Sequence, residues 1–202
     1  MALRIASFPL RPVRRRRLTL PAAAGTPRIA QVTLPEALFE KARYFAPRRA
    51  SGLEEFSPQL VIGSATHLAT LARAVHAGEL KFPALRFAAY SIIGCRDTLL
   101  RPNARAELWQ VLGVPVYEVL LDADNFPVAT ECEAREGWHI EDGVTFSNQA
   151  GQLWFRWKRS RRPQGTGLTG TIESAVCACG RPGKRVVDVD LDFRDPLRRQ
   201  AV

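Results

Sequence analysis

The chain has 202 residues, of which 46% are hydrophobic, so it is long enough to bury a core as one domain with or without a small appendage. Lysine and arginine outnumber aspartate and glutamate by 29 to 20, a formal net charge of +9. No apolar run approaches the ~18 residues of a membrane helix, and no segment repeats, which excludes a membrane-spanning protein and a solenoid.

The excess positive charge lies at the start of the chain. Residues 1–35 contain seven of the 29 basic residues and no acid, so the remainder carries 22 basic and 20 acidic residues and is nearly balanced. The run LRPVRRRRLTLPAAAG predicts a disordered basic tail over 1–27. Phosphate binding, an organellar presequence and a twin-arginine export signal are all compatible with it. We expect a solvated tail, because Pro21 breaks the apolar stretch that an export signal needs.

The sequence pattern over residues 28–121 predicts an α/β segment. A helix is expected over 33–49, beginning near Pro35, and a polar linker, RRASGLEEFSP, follows it. The run QLVIGSATHLATLARAVHAGEL predicts a strand and then a helix that Ser64 caps and Gly78 ends. Apolar residues at i, i+3, i+4 and i+7 give this helix one buried face: Leu68, Leu71, Ala72 and Val75.

Two further strands and one helix complete this segment. The runs FPALRFAAYSII, at 82–93, and VPVYEVLL, at 114–121, predict the second and third buried strands. Between them, RPNARAELWQVLG predicts a helix that begins at Pro102 and ends at Gly113. Strands that alternate with helices across short connections are typical of an α/β fold, so we predict a partial parallel α/β layer.

Beyond Asp122 the pattern changes to short β-prone runs separated by Gly, Asn and Pro. These runs are PVATECE, WHI, GVTFSN, GQLWFRWKR and KRVVDVDLDF. We therefore expect residues 122–202 to form a β-rich, mostly antiparallel subdomain. Aromatic residues alternate onto both faces of GQLWFRWKR, which indicates a strand that is sandwiched or lies at an interface.

Four soft metal ligands lie in this β-rich segment, with Cys132 and His139 near its start and Cys177 and Cys179 near its end. Three thiols and an imidazole are the number and type of ligand that tetrahedral zinc binds. Because protein would fill all four positions, the predicted zinc site is structural and leaves no place for a catalytic water. Bound zinc would pin the two ends of the segment together.

Buried thiols are the alternative interpretation of these cysteines. Free cysteine is a common core residue, and C-x-C is a rarer zinc spacing than C-x-x-C. A disulfide between Cys177 and Cys179 would be strained. Cys95, in the apolar run SIIGC, is expected in the core rather than at a metal. Zinc thiolates and an unpaired Cys95 both suit a reducing compartment, which predicts a cytoplasmic protein.

The segment from about Pro58 to Val187 resembles the middle of the phenylacetate-CoA ligase family of adenylate-forming enzymes. The resemblance rests on four phrases in order, LGVPVYEV, VATECEAREGWHI, GQLWF and CACGRPGKRV. It implies a nucleotide-binding α/β core and a nearby β-subdomain. It also implies a zinc ion held by the equivalents of Cys132, His139, Cys177 and Cys179.

The motifs that carry the family's chemistry are not retained. The Y-G-x-S/T-E motif, whose acid serves magnesium, falls on residues 118–122, where only Asp122 is a candidate for that acid. The ribose-binding R-Y-x-T-G-D segment falls on KRSRRPQGTGLTGTI, which contains no acid. The phosphate loop is missing as well, and no lid with its lysine precedes Val202. The resemblance therefore implies the fold without the chemistry.

We predict a zinc-binding, non-catalytic, truncated relative of these ligases. Such a pseudoenzyme would act as a binding or assembly module with a protein partner or a second copy of itself.

The alternative is an acid-CoA ligase subunit that uses ATP and CoA once a second chain supplies the phosphate loop and lid. An acyl or CoA ligand would then bind, with the basic cluster at 156–162 on the CoA phosphates. We expect that cluster to be a solvated hairpin tip. Nucleic-acid binding through the basic tail is a third hypothesis.

Overall fold

The computed structural model describes residues 27–32, 42–46, 51–94, 99–160 and 162–191. The predicted basic tail, apart from residue 27, and Cys95 lie outside these ranges. The strands of the described residues form one 11-stranded sheet. Its first half is parallel and its second half is antiparallel, as predicted.

Five parallel strands form the first half of the sheet. In chain order they are β1 (Ile29–Gln31), β2 (Ala42–Tyr44), β3 (Leu60–Ser64), β4 (Ala88–Ile93) and β5 (Val116–Leu121). In space the order is β2-β1-β3-β4-β5. β4 and β5 are buried along their whole length, as expected for parallel strands that are covered on both faces.

The helices of the described residues are α1 (Ser51–Phe56), α2 (Ala65–His76) and α3 (Pro102–Leu112). The Ser64 side chain caps α2 by accepting a hydrogen bond from the backbone N–H of His67. α3 begins at Pro102 and ends at Gly113, whose φ of 70° favours glycine. Both helices confirm their predictions. None of the described helices is long and apolar enough to cross a membrane.

The prediction of a helix over residues 33–49 is wrong at residues 42–44. These residues form β2, which pairs in parallel with β1 and buries Ala42. Pairing with a distant strand has overridden the local helical pattern. Apart from residues 45 and 46, the rest of the expected helix lies outside the described residues.

The polar linker expected before β3 contains a helix instead. Leu53 of α1 is only 2% exposed and belongs to the core cluster between the helices and the sheet. The ring of Phe56, the last residue of α1, lies 5.2 Å from the ring of Phe45. Apolar packing therefore stabilises a short helix that its charged composition does not indicate. The strand expected over 82–93 begins only at Ala88.

Six antiparallel strands form the second half of the sheet. They are β6 (Pro127–Glu131), β7 (Trp138–Ile140), β8 (Val144–Gln149), β9 (Gln152–Trp157), β10 (Gln164–Glu173) and β11 (Arg185–Leu191). Their order, continuing from β5, is β6-β7-β11-β10-β9-β8. β10 was not predicted, because its Gly- and Thr-rich sequence has few β-forming residues. Gly170 is required there because a Cβ atom would stand 2.9 Å from the Val187 carbonyl oxygen.

The two halves of the sheet share an apolar cluster. Ile93 and Leu120 of the parallel half pack in one core with Trp138 and Val186 of the antiparallel half. β5 also pairs directly with β6, so the sheet is continuous across residues 121 and 122. The antiparallel strands are therefore joined to the parallel half by both packing and strand pairing.

Candidate metal centre

Strand pairing brings the four predicted ligands together. Cys132 directly follows β6, His139 is the middle residue of β7, and Cys177 and Cys179 lie in the loop between β10 and β11. β7 pairs with β6 on one side and with β11 on the other. The two ligand pairs, which residues 140–176 separate along the chain, therefore meet at one end of these strands.

The four ligand atoms form a compact cluster in which all lie within 4.8 Å of one another. The Sγ atoms of Cys132 and Cys177 are 3.5 Å apart, and the Cys179 Sγ lies 3.3 Å from His139 Nε2. In tetrahedral zinc, bonds of about 2.3 Å to sulfur and about 2.0 Å to nitrogen place two sulfurs about 3.8 Å apart and a sulfur and a nitrogen about 3.5 Å apart. The donor set fits zinc, and no pair needs to close by more than about 1.3 Å.

The protonation chemistry of the cluster also suits a cation. Burial raises the pKa of the Cys132 thiol to about 11, so this sulfur keeps its proton at neutral pH unless a cation replaces it. Burial lowers the pKa of His139, which keeps the imidazole neutral and able to bind a metal. A metal ion would therefore displace the proton of Cys132 and bind the free lone pair of the neutral His139 ring.

Two arginines place positive charge beside the thiols. Arg181 contacts Cys179 and forms an ion pair with Glu133 at 3.3 Å. The pKa of Cys179 is lowered: burial opposes ionisation, but the Arg181 backbone and side chain stabilise the thiolate. Arg185 lies opposite His139 in the β7–β11 pair. Three thiolates around a divalent ion carry one excess negative charge, which these arginines offset.

Glu136 connects the two halves of the cluster. Its carboxylate accepts hydrogen bonds from the backbone N–H of Ala178 at 3.1 Å and from Arg185 at 2.8 Å. No sequence motif points to Glu136, Arg181 or Arg185. Charged residues do alternate with the ligands in ECEAREGWH and CACGRPGKR, but that pattern is equally typical of a surface loop. Only strand pairing shows which charges face the thiols.

Asp122, the candidate for the family's magnesium acid, lies at the turn between β5 and β6. Its Oδ1 accepts hydrogen bonds from the backbone N–H groups of Phe126 at 2.7 Å and Asp124 at 3.0 Å. Its Oδ2 accepts a hydrogen bond from the Trp157 indole N–H at 2.8 Å. Oδ1 therefore closes the turn, and Oδ2 attaches the turn to β9.

No protein-family profile matches the chain, and no curated protein is similar to it in sequence. Solved structures, however, are similar in fold. A 2-hydroxyisobutyryl-CoA ligase in its postadenylation state matches 83% of this chain and 44% of its own, with a TM-score of 0.63 and 14% identity. The anthranilate CoA ligase AuaEII matches 77% of this chain and 39% of its own, with a TM-score of 0.55 and 11% identity. The chain has the fold of part of a CoA ligase.

A third similar structure is a mutant coronafacic acid ligase from Pectobacterium brasiliense, which matches 84% of this chain and 40% of its own, with a TM-score of 0.52 and 12% identity. The resemblance noted in the sequence is thus confirmed for the fold of adenylate-forming CoA ligases. The narrower phenylacetate-CoA ligase family stays a prediction. The chain spans 44% of the length of the 2-hydroxyisobutyryl-CoA ligase.

The ligase fold of this chain contains a cavity of about 990 Å³ beside α3. Apolar side chains of α3 and the segment before it, among them Trp109 and Leu99, line it together with Trp138 of β7 and Leu191 of β11. Trp109 is 52% exposed, and the Arg135 guanidinium lies 5.6 Å from its ring centre. A cavity of this size can hold a small-molecule ligand.

A buried charge network also borders the cavity. Arg105 of α3 forms ion pairs with Glu118 of β5 at 2.8 Å and with Glu131 of β6 at 2.6 Å. Burial raises the pKa of Glu118 to about 7. The network links α3 to both halves of the sheet, and Glu131 directly precedes the ligand Cys132.

Proposed function

We propose that this protein is a zinc-stabilised, non-catalytic module with part of the CoA ligase fold, and that it acts as a binding or assembly partner. The observation that carries the proposal is the cluster of four ligand atoms within 4.8 Å of one another. Zinc bound there supplies a cross-link between β7 and the β10–β11 loop and offers no open position to a substrate. Because the ligands are reduced thiols, we also propose a cytoplasmic location.

The environment of Asp122 supports the non-catalytic part of the proposal. Attack of a carboxylate on the α-phosphate of ATP needs ligated magnesium and preorganised donors around the developing charge. By the sequence resemblance, Asp122 stands where the family has its magnesium acid. Both of its oxygens are already hydrogen-bonded to the turn and to Trp157.

We expect the purified chain to catalyse no pyrophosphate exchange with ATP and a panel of aryl and acyl acids. Loss of a single electrostatic element typically lowers the rate by ~10²- to 10³-fold, and by the sequence resemblance neither the Y-G-x-S/T-E motif nor the R-Y-x-T-G-D motif is retained in this chain. The matched control is Asp122→Asn, which keeps an oxygen for the turn and loses the charge that magnesium requires. Exchange in the wild-type chain that disappears in Asp122→Asn would refute the non-catalytic proposal.

The alternative function is a ligase subunit that binds ATP, CoA and an acyl ligand together with a second chain. The cavity of about 990 Å³ favours it, as does the similarity to a ligase whose structure contains 2-HIB-AMP and CoA. Calorimetric titration with CoA should show binding that weakens in Trp109→Ala if the cavity is the site. The basic side chains that would hold CoA phosphates are exposed around the β9–β10 turn: Arg156, Lys158, Arg159 and Arg162.

A further inference from the structure

Arg185 carries an unsatisfied hydrogen-bond donor in a buried position. The residue is 4% exposed, and its buried Nε–H has no hydrogen-bond partner among the described residues. The other two guanidinium nitrogens are occupied, since Nη1 donates to Glu136 at 2.8 Å and Nη2 to Glu173 at 3.4 Å. A buried donor without an acceptor costs free energy, so an orphan of this kind indicates an acceptor that is present in another state of the protein.

The orphaned donor lies at the metal centre. The strand register places Arg185 directly opposite His139. Oε2 of Glu136 accepts hydrogen bonds both from Arg185 Nη1 at 2.8 Å and from the backbone N–H of Ala178 at 3.1 Å, and Ala178 directly follows the ligand Cys177. One ion pair thus fixes both the arginine and the loop that carries two of the ligands.

We propose that Arg185 is a positioning residue of the metal centre, and that its Nε–H donates a hydrogen bond to the Cys177 thiolate in the metal-loaded protein. This inference rests on the proposed function, because it requires a bound metal. A protonated thiol is a weak acceptor, whereas a thiolate accepts strongly from a charged donor. The Nε–H of Arg185 therefore stabilises the thiolate form of Cys177. In this way Arg185 raises the metal affinity without binding the ion itself.

The test compares three variants of the full chain. Arg185→Met removes both the Nε–H donor and the positive charge. Arg185→Lys keeps the charge but lacks the planar guanidinium group. Lys184→Gln is the matched control, because Lys184 is the exposed neighbour in sequence and carries an equal charge. Zinc affinity is measured by competition with a chromophoric chelator. Cobalt(II) then replaces zinc, and its sulfur-to-cobalt charge-transfer band reports on the thiolates.

We expect Arg185→Met to lose about 10- to 100-fold in zinc affinity. Arg185→Lys should recover part of that loss, and Lys184→Gln should bind zinc like the wild-type chain. The charge-transfer band of Arg185→Met should move to lower energy, because its thiolate lacks a hydrogen bond; a purely structural loss of stability would not move the band. Equal zinc affinity and an identical band in Arg185→Met and the wild-type chain would overturn the inference.

If Arg185→Met does not fold, Arg185→Lys is compared directly with the wild-type chain, because lysine keeps the positive charge near Glu136 and Glu173 but has no Nε–H. An unchanged cobalt band in that variant overturns the inference, and a shifted band supports it. The two proposals fail in different ways. A wild-type chain that binds neither ion overturns both, whereas a wild-type chain that binds both ions while the variants match it overturns only the role of Arg185.

Discussion

Removal of the metal is expected to lower the melting temperature of this protein by about 8–16 °C. Zinc at about 1,000 times its dissociation constant stabilises a folded chain by about 4 kcal/mol, and each kcal/mol moves the melting temperature of a chain of this size by about 2–4 °C. Zinc would join the loop carrying Cys177 and Cys179 to Cys132 and His139, whereas without it the loop is held by polar contacts such as those of Glu136 and the Arg181–Glu133 ion pair. Thermal melts with and without a chelator, under reducing conditions, measure the change.

Cysteine variants provide the controls for the chelation experiment. Cys177→Ser removes one ligand, so its melting temperature should be low and should not fall further when chelator is added. Cys95→Ser should respond to chelator as the wild-type chain does, since Cys95 is not among the predicted ligands. A melting temperature that is the same in the metal-free and the metal-loaded wild-type chain would contradict a structural role for the ion.

Replacement of Arg105 by methionine should destabilise the protein by about 3–5 kcal/mol, because it leaves two buried carboxylates without their cation. The Arg105 side chain is 17% exposed, and it pairs with Glu118 and Glu131. Its Nη1 also donates to the Val116 carbonyl oxygen at 3.0 Å. Urea unfolding should show a lower midpoint with an unchanged slope. A midpoint equal to that of the wild-type chain would show that the network contributes nothing.

Glu118→Gln removes the charge of Glu118 while it keeps nearly the same side-chain shape, so it tests how much the charge alone contributes to stability. Burial raises the pKa of Glu118 from 4.5 to about 7, so the folded state holds a proton that the unfolded state has already released. Its contribution to stability is therefore fully present below about pH 4.5 and is lost as the pH rises towards 7. Glu118→Gln should remove this pH dependence, and the double variant with Arg105→Met should lose less than Arg105→Met alone, because one uncompensated charge is gone.

The elements that could be predicted are those in which local signals agree with packing. α2 has its cap at Ser64, and α3 has Pro102 at its start and Gly113 at its end, so their bounds follow from short-range chemistry. β2 could not be predicted, since its three residues become a strand only by pairing with β1. β10 was missed because glycine weakens strand propensity, whereas here Gly170 permits the close approach of β11.

The candidate site shows the same division. The ligand types of Cys132, His139, Cys177 and Cys179 indicate zinc from the sequence, because the chemistry of the donors does not depend on the fold. The contacts of Glu136 and Arg185 depend on the register between β7 and β11, which no local pattern specifies. The hydrogen bond from Trp157 to Asp122 likewise joins residues in β9 and the β5–β6 turn. Such partners become visible only once the sheet is assembled.

The most direct test of the account is the metal content of the purified, reduced protein, measured by inductively coupled plasma mass spectrometry against protein concentration. We predict one zinc ion per chain, which should be lost in Cys177→Ser and retained in Cys95→Ser. Wild-type protein that is folded and reduced but holds no metal, and that takes up none when zinc is added, would contradict it.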